Sequence, residues 1–470
     1  HWINLLEDDS GHHARIGLLG WNDAGAMALV SVTSPDFKTH LVATIDTAGT
    51  LHQIERLRDS AWVGGPCFGC GGWLPSGRVW WVSEADGWAH LYTAAADGSD
   101  RRQLTHGTWE VNQVDLSADR RTFILHTSKA SPFERQVYRL SVDGGEMEQL
   151  TTRPGGHDAV LSPDGKMLAD VFSTANRPPE LFIEAARPDA PMTQLTTSPT
   201  AEWLSFHWID PEIIRIPASD GAQVPAQIFR PQDLGAKPNG AAVIFVHGAG
   251  YLQNVDRWWS YYYREYMFDH YLAAHGYTVL MLDYRGSAGY GRDWRTAIYR
   301  HMGGRDLQDQ VDAVKWLQRE MGISPDRVGI WGGSYGGFIT LMALFTEPKW
   351  FGAGAALRAV TDWAHYNHGY TGEILNLPQN DSVAYRQSSP IYYAEGLEDP
   401  LLIAHGVQDH NVEFQDVVRL AQRLIELGKT GWELAPYPVE DHDFQRPSSW
   451  TDEYRRIAEL FDLALLKPAR

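Results

Sequence analysis

Cysteine is nearly absent from this chain. Its two cysteines among 470 residues are Cys67 and Cys70, in Pro66-Cys-Phe-Gly-Cys-Gly-Gly. A C-x-x-C can be a redox pair or half of a zinc site. A zinc site needs further ligands, and no matching Cys/His pair lies nearby. No thioredoxin-like context surrounds the pair either, so a loop pair is expected. Long apolar runs are also missing. No stretch approaches the roughly 18 consecutive apolar residues of a membrane span. Positive charge is short: 40 Lys and Arg face 59 Asp and Glu, for a net charge of −19. That balance argues against nucleic acid or an anionic membrane as partner. H-E-x-x-H is absent, and no third ligand joins Asp441-His442-Asp443, so no metal is expected. No secretory signal is visible, and the chain begins at His1 rather than Met. We expect a processed, trimmed or incomplete start, with the compartment left open between cytoplasmic and periplasmic or secreted.

Apolar residues, by contrast, make up 43 % of the chain and aromatic residues 12 %, with 19 Trp. That is ample for two or three packed domains, and nothing suggests disorder.

The first ~200 residues repeat. Gln103-Leu104-Thr105, Gln149-Leu150-Thr151 and Gln194-Leu195-Thr196 recur at nearly equal steps. Leu116-Ser117-Ala118-Asp119 and Leu161-Ser162-Pro163-Asp164 recur in the same rhythm, with short alternating runs between them. A period of about 40–50 residues holding four short strands is a β-propeller blade. Four blades fit between Gly20 and Ser198. A closed propeller of this type commonly has more, so an incomplete all-β propeller over residues 1–210 is expected, N-terminally truncated. A compact four-bladed ring is the alternative. An open array would leave an unpaired strand edge and an exposed apolar face.

Past residue 210 the pattern changes. Pro217-Ala218-Ser219-Asp220-Gly221 reads as a hairpin turn. Buried-strand candidates at 241–246, 278–282, 328–331 and 401–404 then alternate with helical patterns. The clearest helix, 306–320, carries Leu307, Val311, Val314 and Leu317 on one face. Strand–helix alternation implies a parallel, doubly wound sheet, here over residues 211–470.

The chain is organised around Gly332-Gly333-Ser334-Tyr335-Gly336-Gly337. A strand leads in and a helix leads out, which is the setting of a G-x-S-x-G nucleophile elbow. Small neighbours at −2 and +2 let strand and helix approach. The turn lifts the serine oxygen to a helix N-terminus, where free N–H groups hold an anion. A glycine-rich turn with an incidental serine is the bland reading. An elbow in such a sheet makes the α/β-hydrolase fold the leading choice, with partners following in the order acid, then histidine. Asp409 follows the strand 401–404. His442 follows a strand at 432–437. His442 would take the Ser334 proton and return it to the leaving amine, and Asp409 would orient its ring. His405 at a strand end reads as structural, and His410 would point elsewhere. One oxyanion donor should be the Tyr335 N–H. The other should come from His247-Gly248-Ala249-Gly250, although a tight turn is the plain reading of that stretch.

A propeller before this hydrolase unit resembles the prolyl oligopeptidase family of serine peptidases, most closely its dipeptidyl peptidase IV branch. Asp283-Tyr284-Arg285-Gly286-Ser287 looks like that branch's D-x-R-G-S loop. Gly332–Gly337 looks like its G-W-S-Y-G-G, with Gly333 replacing Trp. His405-Gly406-Val407-Gln408-Asp409-His410-Asn411-Val412 looks like its H-G-x-x-D-x-N-V, and Glu440-Asp441-His442 matches its E-D-H. The resemblance implies that Asn411 contacts the substrate carbonyl preceding P1. It implies that Val360, Trp363, Tyr366 and Tyr370, with Tyr335 and Val412, line a flat apolar pocket. Such a pocket suits proline, a rigid ring with no N–H to satisfy. Ordinary aromatic core is the alternative.

Two departures stand out. The branch's oxyanion tyrosine falls at His247. The loop looks more like the H-G-G-P of acylaminoacyl peptidases, so the Ala249 N–H is assigned, with Gly248 as second choice. No Glu-Glu pair for holding a substrate amine is found in residues 1–210. The resemblance implies peptide substrates, no cofactor and a homodimer through the hydrolase domain, and a propeller over the site would admit peptides rather than folded proteins. Release of dipeptides after Pro or Ala is the leading activity. Acylaminoacyl peptidase or prolyl endo-oligopeptidase action, a carboxylesterase, and a non-catalytic binding protein are the alternatives.

Overall fold

The computed structural model describes residues 14–466; the start at His1 lies outside them. The chain divides into two units. Unit 1 spans residues 1–206 and also takes in Asp256–Trp259 and Ala288–Thr296; unit 2 holds the rest.

Unit 1 is four antiparallel sheets of four strands each. They are β1–β4 (Arg15–Trp21, Met27–Thr33, Thr39–Asp46, Leu51–Arg58) and β5–β8 (Gly71–Trp73, Val79–Ser83, His90–Ala94, Arg102–Gln103). Next come β9–β12 (Val111–Leu116, Thr122–Thr127, Gln136–Ser141, Glu148–Gln149) and β13–β16 (Gly156–Leu161, Met167–Thr174, Arg177–Ala185, Thr193–Gln194).

The repeated letters have repeated work. In each Gln-Leu-Thr, the threonine hydroxyl accepts the N–H of the neighbouring strand: Leu91 to Thr105, Val137 to Thr151 and Leu181 to Thr196, each 2.9 Å. The glutamine amide then donates to that threonine's own carbonyl. The Ser-x-Asp turns close by Ser117 and Ser162 hydroxyls donating to Asp119 and Asp164, 2.7 Å each. Consecutive sheets pack face to face. Leu29 and Val42 meet Trp73, Trp81 and Tyr92. Trp80 and Leu91 meet Phe123 and Tyr138. Ile124 and Val137 meet Ala159 and Leu168. Ile16, Leu18 and Trp21 of β1 remain exposed, as do Val160 and Val171 of the fourth sheet. Cys67 and Cys70 form a disulfide across a turn.

Unit 2 is one eight-stranded sheet in the order β17-β18-β20-β19-β21-β22-β23-β24. Its strands are Glu212–Pro217, Gln223–Phe229, Ala242–Val246, Thr278–Leu282, Val328–Gly333, Ala353–Leu357, Leu401–Gly406 and Trp432–Tyr437. β18 runs antiparallel to both neighbours, and the other pairs are parallel. The central strands are buried along their whole length, as parallel strands covered on both faces must be. The amphipathic helix expected at 306–320 is Arg305–Met321, with Leu307, Val311, Val314 and Leu317 buried. Among the described residues no helix is long and apolar enough to cross a membrane.

Candidate active site

The site forms at the carboxyl ends of the parallel strands, where such sheets bind ligands. β21 ends at Gly333, and the helix Tyr335–Thr346 begins one residue later. Ser334 joins them at φ 58° and ψ −117°. That backbone is strained for a residue with a Cβ, and strain of this kind costs about 1–3 kcal/mol. The flanking glycines make the turn possible. A Cβ on Gly332 would stand 2.2 Å from the Val246 carbonyl oxygen, and one on Gly336 would stand 2.0 Å from the same atom.

β23 and β24 are adjacent and parallel, with Gly406 opposite Tyr437. Their following loops therefore leave the same sheet edge. His442 Nδ1 lies 2.8 Å from Asp409 Oδ2. The other Asp409 oxygen accepts the Asn411 and Val412 N–H groups, at 2.9 and 2.8 Å. Burial alone would raise this carboxyl, but hydrogen bonds from His405 and His442 hold it well below its usual value. His405 is fully buried, with Nε2 against the Val412 carbonyl. His410 turns to Asp441 instead. Ser334 and His442 line one cavity of about 360 Å³. Among the described residues the Ser334 hydroxyl makes no direct hydrogen bond to the His442 ring, a contact that commonly tightens only with substrate.

Aromatic side chains form one wall of this cavity. Val360, Trp363, Tyr366, Tyr370 and Asn411 line the cavity with Tyr335. Trp363 stacks on Tyr370 at 5.7 Å, and the Tyr366 hydroxyl donates to Asn411 Oδ1 at 2.6 Å. The Tyr370 hydroxyl donates to the Ala249 carbonyl at 2.8 Å, and Tyr335 is anchored by its hydroxyl to Asp306.

Two expectations need correction. Val412 is buried and does not line the cavity; its N–H and carbonyl support Asp409 and His405 from behind. Gly248, the second choice for the oxyanion, already donates its N–H to the Tyr262 hydroxyl at 2.7 Å. Ala249 does line the cavity. The loop itself is clamped by the D-x-R-G-S stretch. Asp283 accepts the Asn254 and Val255 N–H groups, and the Ser287 hydroxyl meets His247 Nε2 at 2.9 Å.

Sequence reasoning missed Tyr262, Arg358 and Asp443, all in the cavity wall. Two signals were present. Residues 258–263 hold five aromatic side chains in six, and Arg358 interrupts an otherwise apolar run, 353–360.

A model of the prolyl oligopeptidase family matches residues 264–467, and a model of the dipeptidyl peptidase IV N-terminal region matches residues 2–179. Dipeptidyl-aminopeptidase B of Aspergillus niger is 26 % identical over 488 aligned residues, which cover 93 % of this chain and 52 % of that protein. A probable dipeptidyl-aminopeptidase B of Talaromyces marneffei is 27 % identical, over 78 % of this chain and 42 % of its own. The crystal structure of Porphyromonas gingivalis dipeptidyl peptidase 4 superposes with a TM-score of 0.83 at 25 % identity, covering 94 % of this chain and 62 % of that one. The chain thus spans about half the length of the curated relatives it matches.

Proposed function

The chain belongs to the prolyl oligopeptidase family of serine peptidases, in its dipeptidyl peptidase IV-like branch, and on that premise we propose that it releases N-terminal dipeptides after Pro or Ala from short peptides. The Asp409–His442 contact of 2.8 Å beside a strained Ser334 carries this reading.

In this mechanism Ser334 Oγ attacks the scissile carbonyl while His442 Nε2 takes its proton. Asp409 fixes the ring so that Nδ1 carries a proton and Nε2 is free to accept. The tetrahedral oxyanion meets the Tyr335 N–H at the helix N-terminus. Collapse breaks the C–N bond, and the leaving amine takes the proton from His442. Water then repeats the cycle on the acyl-enzyme. The rings of Trp363 and Tyr370 offer flat apolar faces to a P1 proline, and Asn411 offers an amide to the carbonyl preceding it. Residues 211–470 form the catalytic domain in this reading. A homodimer through that domain is the partner proposed; the groove where Met267, Phe268, Tyr271, Trp450 and Tyr454 lie beside Arg264, Arg455, Glu459 and Asp462 supports it. Sedimentation showing only monomer at all concentrations would exclude the dimer.

One panel tests the activity: free-amine Xaa-Pro-anilide, N-blocked Xaa-Pro-anilide, N-acetyl-alanyl-anilide and a p-nitrophenyl ester. The free-amine substrate should be fastest. Preference for blocked substrates would favour acylaminoacyl peptidase or endo-oligopeptidase action by the same residues. Turnover of the ester alone would mean a carboxylesterase, and turnover of none a binding protein. Ser334→Ala should lower kcat more than a thousandfold with the fold kept.

A further inference from the structure

His247 stands where the branch has its oxyanion tyrosine, and the structure uses its ring elsewhere. The imidazole is 1 % exposed, bonded through Nε2 to Ser287 and through Nδ1 to the Gly248 carbonyl, and stacked on Tyr284 at 4.3 Å. A different tyrosine reaches the cavity. Tyr262 lies fifteen positions further along, just ahead of the helix Tyr263–Ala274. Its hydroxyl accepts the Gly248 N–H at 2.7 Å and lines the cavity with Ser334. A Cβ built on Gly248 would meet Tyr262 Oη at 2.6 Å, the Gly333 carbonyl at 3.2 Å and Ser334 Cβ at 3.6 Å. Phenol, backbone loop and nucleophile therefore converge on one spot.

The phenol proton has no acceptor among the described residues, and an oxygen that already accepts an N–H is a stronger donor. Burial and the neighbouring Glu265 raise this phenol above its usual value, so it keeps its proton.

The Gly333 replacement is linked to this one. Gly333 stands where the branch has Trp. A Cβ there would lie 2.8 Å from both Cζ and Nη2 of Arg358. The guanidinium fills that space, only 5 % exposed, with Nη1 unpartnered. It faces Trp450, whose ring lies 5.6 Å away, and the acidic groups Glu265, Glu453 and Asp443. A Trp at 333 and the arginine in this position exclude one another.

We propose that this chain has rebuilt half of its oxyanion hole: the Tyr262 hydroxyl donates to the tetrahedral oxygen opposite the Tyr335 N–H, and Arg358 holds a fixed positive charge behind it. Tyr262 is the catalytic group, and Arg358 is a positioning residue that acts through it. The inference rests on acyl transfer from Ser334. When the serine oxygen bonds to the carbonyl carbon, the carbonyl electron pair moves onto oxygen. That oxygen then receives the hydrogen bonds of Tyr262 and Tyr335. A donor of this kind contributes only when charge develops, so it acts on kcat rather than on substrate binding.

The test compares wild type, Tyr262→Phe, Arg358→Met, Arg358→Lys and the double variant Tyr262→Phe/Arg358→Met on the best anilide. Tyr262→Phe should lower kcat about 10²–10³-fold, with KM within about threefold. Affinity for a peptide boronate should fall in step, while affinity for the dipeptide product stays. Arg358→Met should lower kcat, Arg358→Lys should restore part of it, and Arg358→Met should add little in the Tyr262→Phe background. Should Tyr262→Phe fail to fold, 3,5-difluorotyrosine at 262 keeps the shape and must change kcat through the acidity of the phenol. A Tyr262→Phe enzyme within fivefold of wild-type kcat overturns the proposal while the serine mechanism stands. Additive effects of the two substitutions overturn the role of Arg358. A wild type that turns over no substrate defeats the serine mechanism itself, and this inference with it.

Discussion

Asp409 shows how much a single side chain here owes to its surroundings. Its carboxylate holds two backbone N–H groups on one oxygen and two histidine rings near the other. Those contacts outweigh burial and lower its pKa. A depressed folded value means that the stabilisation is complete above the unfolded value near 4 and drains away as pH falls below it. Asp409→Asn should therefore cost stability at pH 7, and the gap to wild type should close on acidification, as read by urea unfolding at several pH values. In catalysis the same substitution offers His442 a donor or acceptor in the wrong sense. A fall in kcat of about 10⁴-fold is expected, measured by steady-state turnover; a change below tenfold would mean another carboxylate orients the ring. Ser334, Asp409 and His442 were legible as candidates, because each follows an apolar strand and their order along the chain is informative. Tyr262 was not legible as a cavity residue. Its place depends on a loop that folds back on Gly248, and no local pattern announces that.

At the scale of elements, most strands of unit 2 were readable and one was missed. β22, Ala353–Leu357, is built of alanine, glycine and one leucine, too small-sided to look like a strand. The reason lies above it. A Cβ on Gly354 would meet Leu344 at 2.8 Å and Thr340 at 3.0 Å, both on the helix that follows Ser334. The helix Tyr263–Ala274 escaped for the opposite reason. It is buried on several sides, Tyr266, Phe268, Asp269, His270 and Leu272 included, so no apolar stripe stands out. The elbow itself makes a sharp prediction. Gly336→Ala puts a methyl 2.0 Å from the Val246 oxygen. It should destabilise unit 2 by about 3 kcal/mol, the upper end of overpacking costs, and abolish turnover; retention of the wild-type melting temperature would contradict the packing described. The last helix, Pro447–Leu465, carries Glu453 fully buried, its pKa raised by burial to about 8. An acid raised on folding binds its proton more tightly in the native state, so stability falls as pH rises from about 4.5 to 8. The slope contributed by one group is at most about 1.4 kcal/mol per pH unit. Glu453→Gln should flatten that limb in denaturant titrations at pH 5–8.

Across the whole molecule the repeat was the clearest signal. Three of the four sheets carry the Gln-Leu-Thr and Ser-x-Asp marks, because each mark closes a turn or pins a strand end in its own blade. The later chain's return to unit 1 was not visible. Ala288–Thr296 belongs there and delivers Arg295 to the buried Glu84. Burial raises the Glu84 carboxyl, and Arg295 opposes that rise. Arg295→Met would leave Glu84 buried and unpaired, at a cost of about 3–5 kcal/mol. The loss should be larger at pH 8 than at pH 5, where Glu84 can take a proton instead. Equal losses at both pH values, by guanidinium unfolding, would show that the pair is not the source.

Taken alone, the sequence determined the blade repeat, the parallel sheet and the order in which Ser334, Asp409 and His442 follow their strands, since all three are carried by short-range patterns and their sequence along the chain. The tertiary structure decided which atoms meet beside Ser334: it bonded the Gly248 N–H to Tyr262, placed Val412 behind the cavity wall, and brought Tyr262 and Arg358 into that wall. Those four outcomes depend on close approach between segments far apart in the chain, and steric fit at such a junction leaves no periodicity to read.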